Sequence, residues 1–205
     1  YPERTIIGNG ISKWAGAGGW RLGSFAFPKE LSWLRETMSS VASETYTSVS
    51  APIQYAAVRA YQGGQTIERY LVHVRRILKT MSDRCHRILR DGGVRVVKPQ
   101  GAYYMFPVFA GMKREFAKRG IATSEHLCDK LLDEAGVAML PGNAFERPPD
   151  ELSARMSLVD FDGASALAKS ETLPPDQPLP PEFLKENCAH VLEGMEQIVG
   201  WLGGH

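Results

Sequence analysis

Long hydrophobic runs are missing from this sequence of 205 residues. A helix that crosses a bilayer needs about 20 consecutive apolar residues, and no stretch approaches that length. An excess of one charge is also missing, since 24 lysines and arginines stand against 23 aspartates and glutamates, for a net charge of +1. The sequence therefore indicates neither a membrane protein nor a protein that binds nucleic acid or an anionic membrane surface.

Cysteine is scarce. The three cysteines, Cys85, Cys128 and Cys188, are odd in number and far apart, and the first two fall on apolar faces of predicted helices. This pattern favours reduced thiols in the core over a disulfide framework. Reduced thiols in turn favour a cytoplasmic protein, with an organellar matrix as the other compartment that fits.

The signatures of two common kinds of catalytic site are absent. No Gly-x-Ser-x-Gly nucleophile elbow is present. The five histidines show no metal-ligand spacing, either among themselves or with the cysteines. We therefore expect neither a metal site nor a serine nucleophile of that kind.

An initiator methionine is also absent. The sequence opens Tyr1-Pro2-Glu3-Arg4 and enters an apolar stretch at once. No basic segment followed by an apolar run suggests a signal peptide. We interpret the sequence as a piece of a longer chain.

Apolar periodicity predicts strands that alternate with helices. Strands are predicted at 5–8, 21–27, 94–97, 102–109, 137–140 and 155–161. Helices are predicted from Pro28, at 65–89, at 125–135 with Ser124 as the cap and Gly136 as the stop, and at 182–202. The proline-rich segment 172–181 is predicted to be a surface loop. This alternation is typical of a layered α/β or α+β domain.

The segment from Gly8 to Gly23 carries the clearest chemistry. Lys13 and Arg21 stand eight residues apart around a loop of small residues, which lets the backbone approach a flat ligand closely. A lysine in a crowded, partly desolvated site can lose its proton and attack a carbonyl group. The fork of an arginine fits a phosphate dianion.

Three other interpretations of this segment are weaker or uninformative. A nucleotide phosphate loop requires serine or threonine after its lysine, and Trp14 follows Lys13. A dinucleotide-binding fingerprint requires a third glycine where Lys13 stands. A simple glycine-rich turn with a surface lysine requires no particular residue at these positions, so this segment alone does not exclude that interpretation.

The same segment resembles the lysine motif of fold type I aminotransferases of class I and II. In that motif Ser-Lys is followed by a small-residue loop and then by Gly-Trp-Arg-Leu/Ile-Gly, as in Ser12-Lys13 and Gly19-Trp20-Arg21-Leu22-Gly23. The resemblance implies that Lys13 binds pyridoxal 5'-phosphate covalently and that Arg21 binds its phosphate. A serine three residues before the lysine is common in the family. That position is Gly10 here, which leaves Ser12 as the candidate hydroxyl for the cofactor.

Two later segments extend the resemblance in the family's order. Pro99-Gln100-Gly101-Ala102-Tyr103-Tyr104 resembles the start of a strand in the family's small domain. Leu140-Pro141-Gly142-Asn143-Ala144-Phe145 and Arg155-Met156-Ser157 resemble its Pro-Gly-x-x-Phe turn and Arg-x-Ser strand. The resemblance implies that Arg155 binds the α-carboxylate of the substrate. Without it, Arg155 would be read as an ordinary arginine on an edge strand.

The resemblance implies an α/β fold, the C-terminal portion of a transferase that depends on pyridoxal phosphate. Residues 1–50 would end the large cofactor domain, 51–91 would form connecting helices, and 92–205 would form the small domain. The family's cofactor aspartate, its stacking ring and its phosphate loop lie before the lysine, where only 12 residues are present. We therefore expect this chain to be inactive alone.

The complete enzyme is expected to be a homodimer that moves an amino group between an amino acid and a 2-oxo acid. A lyase or decarboxylase of the same fold, and an inactive packing or assembly module, are the alternatives. No arginine stands in 45–52, near where aspartate-specific members present one, so a strict aspartate specificity is not expected.

Overall fold

The structure, a computed structural model, describes residues 1–204 and contains two compact units. The first covers Tyr1–Leu71, and the second begins at Val72. Helices dominate, and the strands form one sheet of two strands and one of three. The mixed α/β class predicted from the sequence is confirmed.

A β-hairpin begins the first unit. Its strands, β1 (Ile7–Gly10) and β2 (Gly23–Ala26), pair antiparallel with Gly10 opposite Gly23. Both predicted strands are present, but the first lies two residues later than predicted. Glycine has a low strand propensity, and pairing with β2 overrides that preference at the two glycines of β1.

The hairpin is exposed along most of its length. Ile7 is 61% exposed and Phe25 is 63% exposed. Within residues 1–204 neither strand has a second neighbour in its sheet. Apolar strands with open edges are ordinarily covered by further strands or helices, so this hairpin gains little burial from the described residues.

The first unit has a small core formed by Ile11, Leu22 and Ala57. Its helices are α1 (Ile11–Trp14), α2 (Ser32–Thr45), α3 (Ala51–Tyr61) and the first part of α4 (Gln65–Asp91). The helix predicted from Pro28 begins at Ser32 instead, because a 3-10 turn at Lys29–Leu31 comes first.

The long helix α4 confirms the longest predicted helix, and the boundary between the units falls within it. In the second unit its buried residues recur every four positions at Ile77, Met81, Cys85 and Leu89, the spacing of a helix face that packs on a core. Each such side chain contributes up to about 1.5–3 kcal/mol by burial.

The three cysteines are free and buried, as the sequence predicts. Burial raises the pKa of Cys85 to about 12 and the pKa of Cys128 and Cys188 to about 11. These thiols are therefore protonated at neutral pH and are poor nucleophiles.

The second unit contains an antiparallel sheet in the order β3-β5-β4. Its strands are β3 (Tyr104–Met105), β4 (Leu140–Pro141) and β5 (Ala154–Ser157). All are shorter than predicted, and the strand predicted at 94–97 is reduced to a single bridge between Arg95 and Val108. Proline lacks the N–H that extends a ladder, which accounts for the short pairing next to Pro107 and at Pro141.

The helices of the second unit after α4 are α5 (Lys113–Lys118), α6 (Ser124–Ala135), α7 (Gly163–Glu171), α8 (Glu182–Asn187) and α9 (Ala189–Gly203). The predicted cap of α6 is wrong: the side chain of Thr123, not Ser124, accepts the N–H of His126. Ser124 is buried and its hydroxyl accepts the N–H of Ser153 at 3.0 Å. Gly136 ends α6 in a left-handed conformation, as predicted.

The helix predicted at 182–202 is divided into α8 and α9 by Cys188, which leaves the helical conformation at φ −139°. Helices α5 and α7 were not predicted. Within residues 1–204, none of the helices has the length and apolar character that a bilayer span requires.

Two glutamates of the second unit each accept several hydrogen bonds. Glu134 accepts from Trp201 at 2.8 Å, Lys130 at 3.0 Å and Arg119 at 2.9 Å, and these bonds lower its pKa to about 2. Glu151 accepts hydrogen bonds from the side chains of Arg147 and Ser153. Its pKa is also lowered to about 2, mainly by the hydrogen bond from Arg147.

Acid is expected to destabilise the second unit between about pH 4.3, the ordinary pKa of a glutamate, and pH 2. A carboxyl whose pKa is lower in the folded state stabilises the fold above its unfolded pKa, and this contribution is lost as the pH falls toward the folded pKa. The free energy of unfolding, measured by denaturant titration at pH 5 and pH 3, should fall less in Glu134→Gln than in the unmodified chain. Glu196→Gln, at an exposed site on α9, is the control. An equal fall in all three would contradict the assignment.

Candidate active site

The end of the hairpin brings Lys13 and Arg21 to one place. Gly10 lies opposite Gly23, so the chain leaves β1 and returns to β2 at the same end of the ladder. Lys13 follows Gly10 by three residues, and Arg21 precedes Gly23 by two. Both side chains therefore belong to the loop that closes this end of the hairpin.

The short helix α1 presents Lys13 away from the core. Ile11 is 3% exposed, and the ring of Trp14 lies 5.5 Å from that of Tyr61. Positions three apart share one face of a helix, so Ile11 and Trp14 anchor α1 while Lys13 stays exposed. Ser12, next to the lysine, is half-buried.

Gly16 fits the loop closely against α4. Its φ is +63°, and a Cβ at this position would lie 2.8 Å from the hydroxyl of Tyr70. Glycine alone adopts this conformation freely and leaves room for the tyrosine. The positive φ and the closeness of Tyr70 therefore explain why a glycine stands at this position of the loop.

Arg21 has a left-handed backbone, with φ 53° and ψ 45°. Residues other than glycine adopt this conformation at a cost of about 1–3 kcal/mol, and such residues cluster at ligand sites. Its Nη1 donates a hydrogen bond to the carbonyl of Gly18 at 2.7 Å, and the next residue, Leu22, is buried. The strained turn thus joins the exposed guanidinium to a buried anchor.

The donor set at this end of the hairpin fits a ligand that carries both a carbonyl group and a phosphate. Lys13 supplies a primary amine, and Ser12 supplies a hydroxyl. Arg21 has five N–H donors, one of which bonds Gly18, and no carboxylate within the described residues forms an ion pair with it. Its remaining donors can therefore bind an anion.

Arg155 lies on β5 in the second unit, and aromatic rings hold its guanidinium. The guanidinium carbon lies 4.5 Å from the ring centre of Tyr104 and 4.5 Å from that of Phe145. Across residues 1–204 it has no carboxylate partner. Its N–H groups are therefore available for an external carboxylate.

Of the four residues predicted for the site, the structure places Lys13, Ser12 and Arg21 on one loop of the first unit. Arg155 belongs to the second unit. The contacts of Tyr104 and Phe145 with Arg155 were missed by sequence reasoning, although both rings lie in the segments that carry the family resemblance. In the part of the chain that the structure describes, no group of histidine, cysteine and carboxylate side chains could hold a metal ion.

Comparisons with known proteins identify the family to which the sequence is similar. The sequence model of the family described as aminotransferase class I and II matches residues 1–161. An aspartate aminotransferase of Geobacillus stearothermophilus is 35% identical over 146 residues, which are 71% of this chain and 35% of that protein. An aromatic-amino-acid aminotransferase of Thermococcus litoralis is 32% identical over 143 residues, 70% of this chain and 34% of that protein.

The fold also matches solved structures. The crystal structure of an aromatic aminotransferase from Pyrococcus horikoshii OT3 superposes with a TM-score of 0.72 at 28% identity, over 98% of this chain and 44% of that one. The chain spans about a third of the length of the curated relatives it matches.

Proposed function

The chain belongs to the class I and II aminotransferases, and from this premise we propose that it is part of an enzyme that moves an amino group between an amino acid and a 2-oxo acid. The observation that carries the proposal is the placement of Lys13 and Arg21 on one loop at the end of the hairpin. An amine and a phosphate-binding fork in one loop are what pyridoxal phosphate requires. We propose pyridoxal phosphate as the cofactor on this ground.

Each site residue has a proposed role. When bound, pyridoxal phosphate draws electrons away from the substrate Cα. Lys13 would hold the cofactor through its Nζ, and its amine would accept the proton from the substrate Cα and deliver it to the cofactor carbon that takes up the amino group. Arg21 binds the phosphate, and the hydroxyl of Ser12 is placed to assist it. Arg155 binds the α-carboxylate and thereby orients the Cα–H bond.

The proposed organisation follows from the family. Residues 1–50 end the large domain, 51–91 connect the domains, and 92–205 form the small domain. The boundary between the two structural units falls inside the proposed connecting segment. We propose that the whole enzyme is a cytoplasmic homodimer.

The test is amino-group transfer by the natural protein, supplied with pyridoxal phosphate, from L-aspartate or L-phenylalanine to 2-oxoglutarate. We expect the new amino acid to form in equal amount to the 2-oxo acid produced, and we expect no transfer by residues 1–205 expressed alone. Release of carbon dioxide or ammonia would favour a decarboxylase or lyase. A natural protein that transfers nothing would favour a packing module, and transfer by the 205-residue chain alone would contradict the proposed division of the site.

A further inference from the structure

We propose that Tyr104 and Phe145 are positioning residues for Arg155, and that their rings restrict its guanidinium to planar carboxylate ligands. This inference rests on the proposed function, since it takes Arg155 as the group that binds the substrate carboxylate. It adds two residues to that site, and it adds a preference for planar carboxylates over tetrahedral anions.

The register of the sheet fixes the position of Tyr104. Tyr104 of β3 lies opposite Ser157 of β5. Arg155 precedes Ser157 by two residues and shares its face of the sheet, so it is the diagonal neighbour of Tyr104. Backbone pairing therefore brings the two side chains within reach of each other, and the guanidinium carbon lies 4.5 Å from the centre of the tyrosine ring.

A close approach of two backbone segments fixes the position of Phe145. The chain leaves β4 through a 3-10 turn, Gly142–Phe145, and the N–H of Gly142 donates to the carbonyl of Ser153 at 2.7 Å. A Cβ on Gly142 would lie 2.1 Å from Ser153 Oγ, so only glycine lets the turn come this near. The ring of Phe106 meets Phe145 nearly edge-on, with 5.8 Å between ring centres, which supports Phe145 from another direction.

Aromatic rings position a guanidinium without using its donors. A glutamate or aspartate beside Arg155 would occupy the N–H groups that a substrate carboxylate needs, and none pairs with it among the described residues. The negative face of a ring attracts the cation instead and leaves the N–H edges open. The two rings thus order the arginine before the ligand arrives, which lowers the entropic cost of binding.

The same rings limit the shape of the ligand. A carboxylate is planar and accepts two N–H groups in the plane of the guanidinium. A phosphonate is tetrahedral, so when two of its oxygens lie in that plane the third projects out of it. The ring centres of Tyr104 and Phe145 each lie 4.5 Å from the guanidinium carbon. An oxygen that projects out of the guanidinium plane would therefore compete with these rings for space and would lose contact with water.

The experiment compares variants of the natural protein, loaded with cofactor, on L-phenylalanine and on its phosphonate analogue, 1-amino-2-phenylethylphosphonate. Loss of one cation-π contact in Tyr104→Leu or Phe145→Leu should raise KM for phenylalanine roughly tenfold and change kcat much less. In the same variants the preference for phenylalanine over the phosphonate should fall roughly tenfold. This preference is the inhibition constant of the phosphonate divided by KM for phenylalanine. Tyr104→Phe and Phe145→Tyr keep the rings and should restore both values.

Two controls separate the outcomes. Phe161→Leu removes a half-buried ring elsewhere in the second unit and should leave KM and the preference unchanged. If Arg155→Ala raises KM but the leucine variants do not, the positioning role is wrong and the proposed function stands. If Arg155→Ala leaves KM unchanged, the proposed role of Arg155 is wrong.

A second measurement needs neither activity nor a stable variant. In the natural protein without substitutions, ring currents should shift the side-chain Nε–H proton of Arg155 upfield of the same proton in the exposed Arg114, measured by NMR. Equal shifts for the two arginines would overturn the proposed contact.

Discussion

Replacing Lys13 by alanine is expected to lower aminotransferase activity of the natural protein by at least about a thousandfold. The variant loses the proposed covalent link to the cofactor, and a positioned group for proton transfer alone is worth about 10²–10⁴-fold in rate. The fold should survive, because Lys13 is exposed while its neighbours Ile11 and Trp14 anchor α1. Activity and the visible absorbance of bound cofactor are the first measurements.

Covalent labelling locates the lysine directly. Borohydride reduction of the cofactor-loaded protein, followed by peptide mass spectrometry, should place the pyridoxyl group on Lys13. Lys29→Ala is the matched control, because Lys29 is an exposed lysine of the same unit, and it should keep both the label and the activity. A label on another lysine would remove Lys13 from its proposed role and would leave the family membership unaffected.

The part of the site that the sequence predicts is the part whose chemistry is local. Lys13, Ser12 and Arg21 lie within one loop, so their spacing along the chain already places them together once the flanking strands pair. The left-handed backbone of Arg21 was not predictable, since only a few per cent of residues other than glycine adopt it.

The contacts of Tyr104 and Phe145 with Arg155 join segments that are far apart in the sequence. The spacing of residues along the chain could therefore not predict them. Tyr104 reaches Arg155 through the β3–β5 register, and Phe145 does so through the contact between Gly142 and Ser153. Neither relation leaves a periodic signal. The sequence did identify the segments that contain these residues, through their resemblance to the family.

The errors in the predicted fold have the same origin. Apolar periodicity runs unbroken through Cys188 because Leu184, Cys188 and Val191 all face the core. The pattern therefore does not predict the break between α8 and α9. Ser124 has the chemistry of a helix cap, but Thr123 takes that position and Ser124 bonds Ser153 instead. A tertiary hydrogen bond thus determines which of the two adjacent hydroxyl residues, Thr123 and Ser124, caps the helix.

Replacing Arg155 by alanine is expected to cost about 2–4 kcal/mol in kcat/KM for L-phenylalanine, the scale for losing a charged hydrogen-bonded contact in a partly buried site. That cost corresponds to a loss of roughly 30- to 1,000-fold. 2-Phenylethylamine, which is phenylalanine without its carboxylate, should react at nearly the same rate with both proteins because it has nothing for Arg155 to bind. Kinetics of amino transfer from both donors measure this difference.

The comparison between donors is what assigns the role. Arg155→Lys keeps the charge but loses the planar fork, so it should recover only part of the loss on phenylalanine. Arg114→Ala removes an exposed arginine of the same unit and should change neither donor. Equal losses on phenylalanine and phenylethylamine would mean that the variant damages the site as a whole, and Arg155 would then have no specific role toward the carboxylate. A loss confined to the donor with a carboxylate links the aromatic-bound guanidinium on β5 to the one group that all amino acid substrates share.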